Sequence, residues 1–518
     1  MDNLYNPITA VWEITMGCNM RCKHCGSSCE KPLEGELTTE EALKLCDDMK
    51  ALGLQWLTLS GGEPTTRKDW NIIAKRLNSN GIIPNMITNG WLMDDEIAAK
   101  AKDAGINTIA MSLDGLKKTH DHIRKEGSFD RIMNSFDIIT GAGVNCSVIT
   151  TINSVNINEL DELHSILVKK NVGGWQIQLG LPMGNMANNN QLVSTPEHID
   201  KVIEFAYRAT KIGGVEIQLA DCIGYFNNKE IEVRKAQYGY DEYSWYGCGA
   251  GKYNFGILHN GDIVGCTSIR SKDFIEGNIR ETSIVDIWNN EKLFAWNREL
   301  TKDKLKGLCS KCINGSRCLG GCANTRLTMD GSVYGENRYC SYNYAVKNAQ
   351  QHLDQVTDID MLLKKARKFI ENKSYQLAGI VLEKVIDAQN NNCEALSHYG
   401  FVSFMLGNYN DALKSNEKLL TINPLDAYAL KGYGLTTAKL GNIEDGINYL
   451  LKAIENSDER FLDPYHDLAV LYYETGRIND AINILEKGRC ISQSFKDETE
   501  DFYIILNDAN PKDNNLET

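Results

Sequence analysis

Three cysteines near the N-terminus constrain the fold of this chain more than any other feature. Cys18, Cys22 and Cys25 have the spacing C-x3-C-x2-C, and the apolar alternation of residues 10–15 predicts a strand just before them. Such short intervals allow one loop to place three thiolates around an iron–sulfur cube, and thiolate is the ligand that these clusters use. Three ligands leave one iron open, and an open position on a metal site is where substrate chemistry takes place. A zinc knuckle or three buried cysteines would also fit the spacing alone.

The composition indicates a reducing compartment. The N-terminal sequence MDNLYNPITAVW has no apolar run behind a basic start, and no stretch approaches the roughly 18 apolar residues of a membrane span. We therefore expect a cytoplasmic protein whose sixteen cysteines are metal ligands or packing residues rather than disulfides. The net charge of −14 disfavours nucleic acid and membranes as partners, because both attract basic surfaces.

A second motif follows the next predicted strand, residues 56–60. It consists of Gly61, Gly62, Glu63 and Pro64. Glycines at such a position allow the backbone to approach a small polar ligand closely. The cysteine triad followed by this motif resembles the radical S-adenosylmethionine (SAM) family. The resemblance implies that the open iron of a 4Fe–4S cluster chelates the amino and carboxylate groups of SAM, with the GGEP motif against the amino group. It also implies one-electron cleavage to a 5′-deoxyadenosyl radical, which removes a hydrogen atom from the substrate.

Polar residues at the ends of the later predicted strands extend the resemblance, because the family places further cofactor contacts there. The candidates are Asn89, Ser112, Asp114, Arg124, Asn153 and Gln178. Arg124 would pair with the cofactor carboxylate, since guanidinium and carboxylate match as a fork. Asn153 and Gln178 would lie near the adenine, and His24 stands where the family usually has an aromatic residue. Taken singly, each of these polar residues is as readily explained by a turn or a helix cap.

Strand and helix patterns alternate over the first part of the chain, which predicts a parallel α/β sheet. The resemblance implies a partial (β/α)6 TIM-like barrel over residues 1–235. The cofactor would then lie at the carboxyl ends of the strands, where such sheets bind ligands.

A second array of seven cysteines occupies residues 236–350. They are Cys248, Cys266, Cys309, Cys312, Cys318, Cys322 and Cys340. Each interval resembles that of the SPASM domain, a small cysteine-rich domain that carries two auxiliary 4Fe–4S clusters. The resemblance implies a far cluster on the cysteines at 309, 312, 318 and 340, and a near cluster on those at 248, 266 and 322. With the first cluster, the chain would hold three.

The near cluster lacks an obvious fourth ligand, and Cys222 is the nearby spare cysteine. Cys222 could close the cluster as its fourth ligand. The cluster could instead keep an open iron for the substrate. Cys222 could also be a free thiol, either inert or donating a hydrogen atom in catalysis. The remaining cysteines are predicted to be packing residues, with Cys29 the least certain because it follows the first cluster motif: Cys29, Cys46, Cys146, Cys393 and Cys490.

From about residue 359 the sequence repeats at intervals of 34, as at Ala366, Gly400 and Gly434. The pattern resembles four tetratricopeptide (TPR) repeats, an all-α solenoid over residues 358–490. An acidic tail, 491–518, follows, and its end, NDANPKDNNLET, is predicted to be disordered. Such stacks bind peptides or proteins in a concave groove. The predicted groove residues, which could instead pack between helices, are Phe401, Phe404, Tyr428 and Tyr473.

Radical SAM enzymes with a SPASM domain commonly modify ribosomally made peptides (RiPP maturation). The resemblance therefore implies an oxidoreductase-type maturase that cross-links a precursor peptide or protein through a C–S or C–C bond. A flavodoxin- or ferredoxin-type protein would supply low-potential electrons. No leader-binding domain is expected before Cys18, so the repeats would take that role. The alternatives are an epimerase with a Cys222 hydrogen donor, a non-catalytic repeat scaffold, and an anaerobic sulfatase-maturing enzyme. Thr267 counts against the last, because that family has an Asp base there.

Overall fold

The computed structural model describes residues 5–509 and divides the chain into two compact units. The first unit comprises the residues up to Ser310 together with Asn314–Ala345, and the second comprises Lys311–Ile313 and the residues from Val346 onward. The predicted boundary at 235/236 does not separate compact units, because both cysteine-bearing regions belong largely to the first. The predicted start of the repeats lies close to the observed boundary.

The first unit is built on one ten-stranded sheet. Its strands are β1 (Thr9–Thr15), β2 (Trp56–Gly61), β3 (Ile83–Thr88), β4 (Thr108–Ser112), β5 (Asn145–Ile152), β6 (Gly174–Leu179), β7 (Glu216–Leu219), β8 (Asn254–Ile257), β9 (Asp262–Val264) and β10 (Ile275–Asn278). Their order is β10-β9-β8-β1-β2-β3-β4-β5-β6-β7. Strands β1 to β7 are parallel to one another, and β8 is parallel to β1. Strand β9 is antiparallel to both of its neighbours, β8 and β10.

The six predicted strands of the α/β barrel are therefore present, but the sheet is larger than predicted. A seventh parallel strand, β7, has only four residues, too few for a clear alternation. On the other side, β8 pairs with β1, so the second cysteine region continues the same sheet.

Helices alternate with the strands and then follow them. They are α1 (Thr39–Ala51), α2 (Trp70–Ser79), α3 (Asp95–Asp103), α4 (Lys117–Ile123), α5 (Ser128–Gly141), α6 (Leu160–Lys169), α7 (Glu197–Ile212), α8 (Asn228–Tyr238), α9 (Ile284–Asn289), α10 (Ala295–Arg298), α11 (Gly307–Lys311), α12 (Gly315–Cys318), α13 (Ala323–Asp330) and α14 (Ser341–Asp354). Helix α1 shows why such segments form where they do. Thr38 accepts a hydrogen bond from the Glu41 backbone, and the Glu41 side chain accepts one from Thr38, which satisfies two otherwise unpaired N–H groups.

The sheet positions the site because the carboxyl ends of parallel strands meet at one edge. Strand β1 ends three residues before Cys18, β2 ends in the glycine motif, and β3 and β4 end at Thr88 and Ser112. Alternate residues of β5 are buried, and Trp12 and Trp175 are fully buried in the core around the sheet.

The second unit consists of helices. From residue 359 they are α15 (Ile359–Glu371), α16 (Tyr375–Ala388), α17 (Cys393–Met405), α18 (Tyr409–Ile422), α19 (Ala427–Lys439), α20 (Ile443–Glu455), α21 (Asp463–Glu474), α22 (Ile478–Arg489), α23 (Gln493–Glu498) and α24 (Glu500–Asp508). Helices α15, α17 and α19 begin 34 residues apart, as the sequence period predicts. The assignment of these hairpins to the TPR class stays a prediction.

The predicted tail, 491–518, is corrected in its first part. It begins with the helices α23 and α24, because Phe495 and Leu506 are buried in the apolar cluster that also contains Leu485. Residues 510–518 lie outside the described residues. No helix within residues 5–509 is long and apolar enough to cross a membrane.

Candidate active site

The loop that carries Cys18, Cys22 and Cys25 leaves the end of β1 and is held by a turn after β6. The Asn185 backbone donates to the carbonyl of Cys25 at 2.9 Å, and its side-chain amide donates to the carbonyl of Cys22 at 3.0 Å. Gly184 has a φ of +51°, and a Cβ on it would lie 2.5 Å from the Cys25 carbonyl oxygen. This turn, residues 184–188, therefore fixes the path of the loop.

The three thiols are close enough to influence one another. Burial, followed by the charges of Glu63 and Cys25, raises the pKa of Cys18, and burial raises the pKa of Cys22 to about 11. Two N–H donors oppose this: Nη1 of Arg124 lies 3.9 Å from Cys22 Sγ, and Nδ2 of Asn89 lies 3.9 Å from Cys18 Sγ. Donors aimed at sulfur favour thiolates, the form that ligates iron.

Cys29 is more than the packing residue that the sequence predicts. Its thiol donates to the Cys25 thiolate and lowers the pKa of Cys25 to about 5, and its Sγ lies 3.6 Å from the carbonyl oxygen of Gly61. Cys29 therefore links the cysteine loop to the glycine motif.

The donor set of this loop fits a 4Fe–4S cluster with one open iron. Among residues 5–509, no group of three or more Cys, His, Asp or Glu side chains is placed so as to hold a metal ion. A four-iron cube is larger than a single ion. Three thiols on one loop, with N–H donors near two of the sulfurs, supply the chemistry that such a cube requires.

The glycine motif lies directly on the backbone that leads into the cysteine loop. The N–H groups of Gly62 and Glu63 donate to the carbonyls of Thr15 and Gly17 at 2.7 and 2.8 Å. A Cβ on Gly61 would lie 2.2 Å from the Thr15 oxygen, and one on Gly62 would lie 2.1 Å from the Gly17 oxygen. The glycines are thus required by the approach of protein backbone, in addition to the predicted approach of a ligand.

Glu63 is buried and joins the motif to the end of β3. Its carboxylate accepts hydrogen bonds from the Asn89 backbone at 2.8 Å, the Thr88 hydroxyl at 2.8 Å and the Thr65 hydroxyl at 2.6 Å. Burial raises the pKa of Glu63, and these hydrogen bonds oppose the shift.

Asp114 is the buried centre of a charged cluster beside the cysteine loop. It forms an ion pair with Nε of Arg124, lies 2.9 Å from Nε2 of His24, and accepts from the Thr151 backbone at 2.8 Å. Burial opposes its charged form, but Arg124 and His24 outweigh burial and hold the pKa of Asp114 well below its usual range. Both carboxylate oxygens therefore have protein partners. These partners give Asp114 a positioning role, and its predicted direct contact with the cofactor stays a prediction.

The cysteines of the second array also have N–H donors. Cys309 Sγ accepts from the Asn337 backbone and the Asn343 side chain, both at 3.4 Å, and Cys340 Sγ accepts from the Asn343 backbone at 3.5 Å. Cys312 and Cys318 are buried.

A second group of thiols lies where the sheet continues into this array. Burial, then the charges of Cys248 and Cys222, raise the pKa of Cys322. Burial raises the pKa of Cys266, and the charge of Cys248 contributes. The loop that carries Cys222 reaches this group, because the Tyr225 hydroxyl donates to the Asp221 carbonyl and accepts from the Cys322 backbone.

Comparison with known families agrees with both cysteine sites. The Radical SAM superfamily profile matches residues 12–167, and the profile of the SPASM iron–sulfur cluster-binding domain matches residues 248–313. The protein is a radical SAM superfamily enzyme. Its two domains imply SAM and iron–sulfur clusters as cofactors.

Relatives of this radical SAM enzyme have more than one activity. The AdoMet-dependent heme synthase of Methanosarcina barkeri is 29% identical over 346 residues, which are 65% of this chain and 97% of that protein. The mycofactocin maturase MftC of Mycolicibacterium smegmatis is 26% identical over 333 residues, which are 63% of this chain and 81% of that protein. The crystal structure of Streptococcus suis SuiB bound to the precursor peptide SuiA shares the fold, with a TM-score of 0.50 and 18% identity, over 64% of this chain and 75% of that one.

The remaining predicted cofactor residues of the radical SAM enzyme differ in what surrounds them. Gln178 donates to the Thr151 hydroxyl at 3.0 Å, and Ser112 ends β4 half-buried at the same sheet edge. Asn153 is fully buried, and its amide oxygen accepts from the Val155 backbone at 3.0 Å. Asn153 thus stabilises the turn after β5, and its predicted place near the adenine stays a prediction.

Arg124 is already paired within the protein. Its Nε forms an ion pair with Asp114, which leaves the Nη1 and Nη2 edge for the predicted fork to a cofactor carboxylate. That contact stays a prediction. Sequence reasoning missed the loop-holding residues Gly184, Asn185 and Asn189, although the run GNMANNN after β6 is a turn signal.

The glycine contacts give a testable prediction. We expect Gly62→Ala to displace the cysteine loop, because its Cβ would meet the Gly17 oxygen at 2.1 Å. Reconstituted protein should then lose most of the iron of the first cluster and most SAM binding. Gly26→Ala is the matched control in the same loop, because its Cβ would meet only the Met183 side chain, at 3.8 Å. Equal iron content in both variants would contradict the prediction.

Proposed function

We propose that this enzyme is a maturase that oxidatively cross-links two side chains of a ribosomally made peptide or protein. One observation carries the proposal: β1 leads into the first cysteine loop, while its partner β8 and the adjoining β9 lead to Cys266. Both cysteine sites are thus attached to one hydrogen-bonded sheet. A radical generator beside an electron acceptor suits an oxidation better than a reaction that leaves the redox state unchanged.

The proposed reaction balances as follows. The peptide loses two hydrogens: one as a hydrogen atom, the other as a proton and an electron when the new bond forms. When bound, the first cluster and SAM would supply the radical that removes the hydrogen atom. The electron would pass to an auxiliary cluster. A low-potential flavodoxin- or ferredoxin-type protein would supply the electron consumed in cleaving SAM.

The residues of this chain have separate tasks in the proposal. Cys18, Cys22 and Cys25 would hold the first cluster, while Glu63 and Asn89 fix the backbone against which SAM binds. Asp114 would keep His24 and Arg124 beside the cluster loop. The array cysteines would hold two auxiliary clusters, which makes three in all.

The peptide assignment is supported by the maturase relative and by the peptide bound to SuiB, whose fold this chain shares. The helical unit supports it further, because arrays of helical hairpins commonly bind peptides. Each predicted groove aromatic has a ring neighbour, such as Phe461 beside Tyr428 at 5.9 Å and Phe502 beside Tyr473 at 5.9 Å, yet Tyr473 remains 38% exposed. We assign these rings to both packing and peptide contact.

A heme-synthase-type oxidation is the second candidate. It is favoured by the 29% identity that covers 97% of the Methanosarcina barkeri protein. The visible absorption spectrum of an added iron-porphyrin should then shift when the enzyme is present. If the enzyme is a peptide maturase, the spectrum of the iron-porphyrin should stay unchanged.

Product mass tests the proposal. Short peptides encoded beside the gene are incubated anaerobically with reconstituted enzyme, SAM and a reductant. We expect a product lighter by two hydrogens, with the new bond located by fragmentation. Unchanged mass in water with one added unit in deuterium oxide would indicate epimerisation instead, and formylglycine would indicate sulfatase-type maturation.

Truncation tests the role of the helical unit. We expect deletion of residues 359–518 to reduce peptide affinity at least about tenfold, a loss of about 1.4 kcal/mol, while deoxyadenosine formation from SAM continues. Fluorescence anisotropy of a labelled peptide measures the affinity. Full affinity in the shortened chain would contradict a binding role for the repeats.

A further inference from the structure

We propose that Cys222 is the fourth ligand of the near auxiliary cluster, completing a site with Cys248, Cys266 and Cys322. The inference rests on the proposed function, because it assumes that this site holds a 4Fe–4S cluster. Cys222 lies outside residues 248–313, the segment that the SPASM profile matches. It follows β7 at the carboxyl edge of the sheet.

The loop that carries Cys222 is attached directly to Cys322. The buried hydroxyl of Tyr225 donates to the carbonyl of Asp221, and the same oxygen accepts from the Cys322 backbone at 2.8 Å. Gly321 permits this contact, since a Cβ there would lie 2.3 Å from the Tyr225 ring. The residue before Cys222 is therefore bridged to the backbone of a predicted ligand through one side chain.

A buried arginine fixes the same loop from the other side. Arg234, with no exposed surface, donates to the carbonyls of Leu219 at 2.9 Å, Ala220 at 3.1 Å and Ile223 at 2.8 Å. It pairs with buried Glu230, which also accepts from Trp245 at 3.0 Å. Because three carbonyls around residue 222 are held, the position of its thiol is determined by the fold.

The thiol has the environment of a cluster ligand. The Leu179 backbone at the end of β6 donates to Cys222 Sγ at 3.3 Å, and N–H donors to ligand sulfur are a common means of tuning cluster potential. The Tyr225 bridge ties the residue next to Cys222 to the backbone of Cys322, and this placement supports ligation over a hydrogen-donor role.

Closing the site has a chemical consequence. A near cluster with four cysteine ligands has no open iron, so it can accept an electron from the substrate radical but cannot coordinate the substrate.

Spectroscopy of the full chain tests this without catalysis. In a Cys18→Ala, Cys22→Ala, Cys25→Ala background, only auxiliary clusters remain, and ¹⁵N-imidazole serves as the probe of an open iron. We expect no ¹⁵N coupling to the reduced clusters while Cys222 is present. Adding Cys222→Ala should either produce that coupling or remove about four irons per chain. Cys222→Ser, which offers an oxygen ligand, should retain the cluster with a shifted midpoint potential.

Cys146→Ala, a buried cysteine in β5, is the matched control and should leave iron content, coupling and potential unchanged. Coupling to ¹⁵N-imidazole in the chain that retains Cys222 would overturn the proposal. So would a Cys222→Ala variant that matches Cys146→Ala in all three measurements. Because the background cannot cleave SAM, failure of the peptide reaction would leave this result intact and would count against the proposed function alone.

Discussion

Replacing Cys22 by alanine is expected to abolish reductive cleavage of SAM, with a decrease in rate of at least about 10³-fold. Cys22 is buried in the loop between β1 and α1, and the Asn185 amide and the Arg124 guanidinium approach it from other elements. Its removal leaves the loop with two of the three predicted ligands of the first cluster. Anaerobically reconstituted protein should therefore lose about four irons, out of the roughly twelve that the three proposed clusters would contain. Deoxyadenosine formed after adding a strong reductant measures the activity.

The control for this variant is Cys46→Ala. Cys46 is fully buried on the apolar face of α1 and lies among packing residues, so its removal should leave iron content and deoxyadenosine yield unchanged. Wild-type deoxyadenosine yield from Cys22→Ala would contradict the assignment of the first site, as would zinc in place of iron in the unmodified protein.

The second large effect is expected from Asp114→Asn. Asp114 has no exposed surface, and its charge balances Arg124, whose side chain is only 11% exposed. Removing one partner of a buried ion pair leaves the other charge uncompensated, which typically costs about 3–5 kcal/mol. We expect a loss of this size in the free energy of unfolding of the first unit.

Tryptophan fluorescence during urea unfolding is the appropriate measurement, because all eight tryptophans lie in the first 300 residues. Asp137→Asn is the matched control. Asp137 pairs with Lys170 at 2.8 Å, but its side chain is 68% exposed, so its loss should cost less than about 1 kcal/mol. Equal urea midpoints of unfolding for the Asp114→Asn and Asp137→Asn variants would show that the charged cluster around Asp114 contributes little to stability.

The sequence predicted the elements whose signals are local. Six parallel strands, the cysteine loop and the glycine motif were predictable because alternation and short spacings lie within a few residues of each other. The 34-residue period likewise predicted where the helices α15, α17 and α19 begin. Strand β7 was missed because four residues give too little alternation. The helices α23 and α24 were missed because their charged sequence conceals the burial of Phe495 and Leu506.

The partners of the polar site residues were not predictable in the same way. Asp114 and Asn153 follow the ends of β4 and β5 as predicted, whereas Arg124 lies at the end of helix α4. Sequence could not distinguish a side chain bonded within the protein from one left for a ligand. The placement of the Cys222 loop beside Cys322 depends on Tyr225, which is 97 residues from Cys322 along the chain, and on Arg234, which holds the loop. Only tertiary structure brings such residues together.

The pairing of β8 with β1 limits how this enzyme can be divided for study. A fragment ending at the predicted boundary, residue 235, would lack β8 and would leave one side of β1 with unpaired N–H and C=O groups. Exposed strand edges of this kind promote aggregation between chains. Chimeras that exchange the auxiliary domain between relatives should therefore replace β1 and β8 together, so that the two strands remain matched.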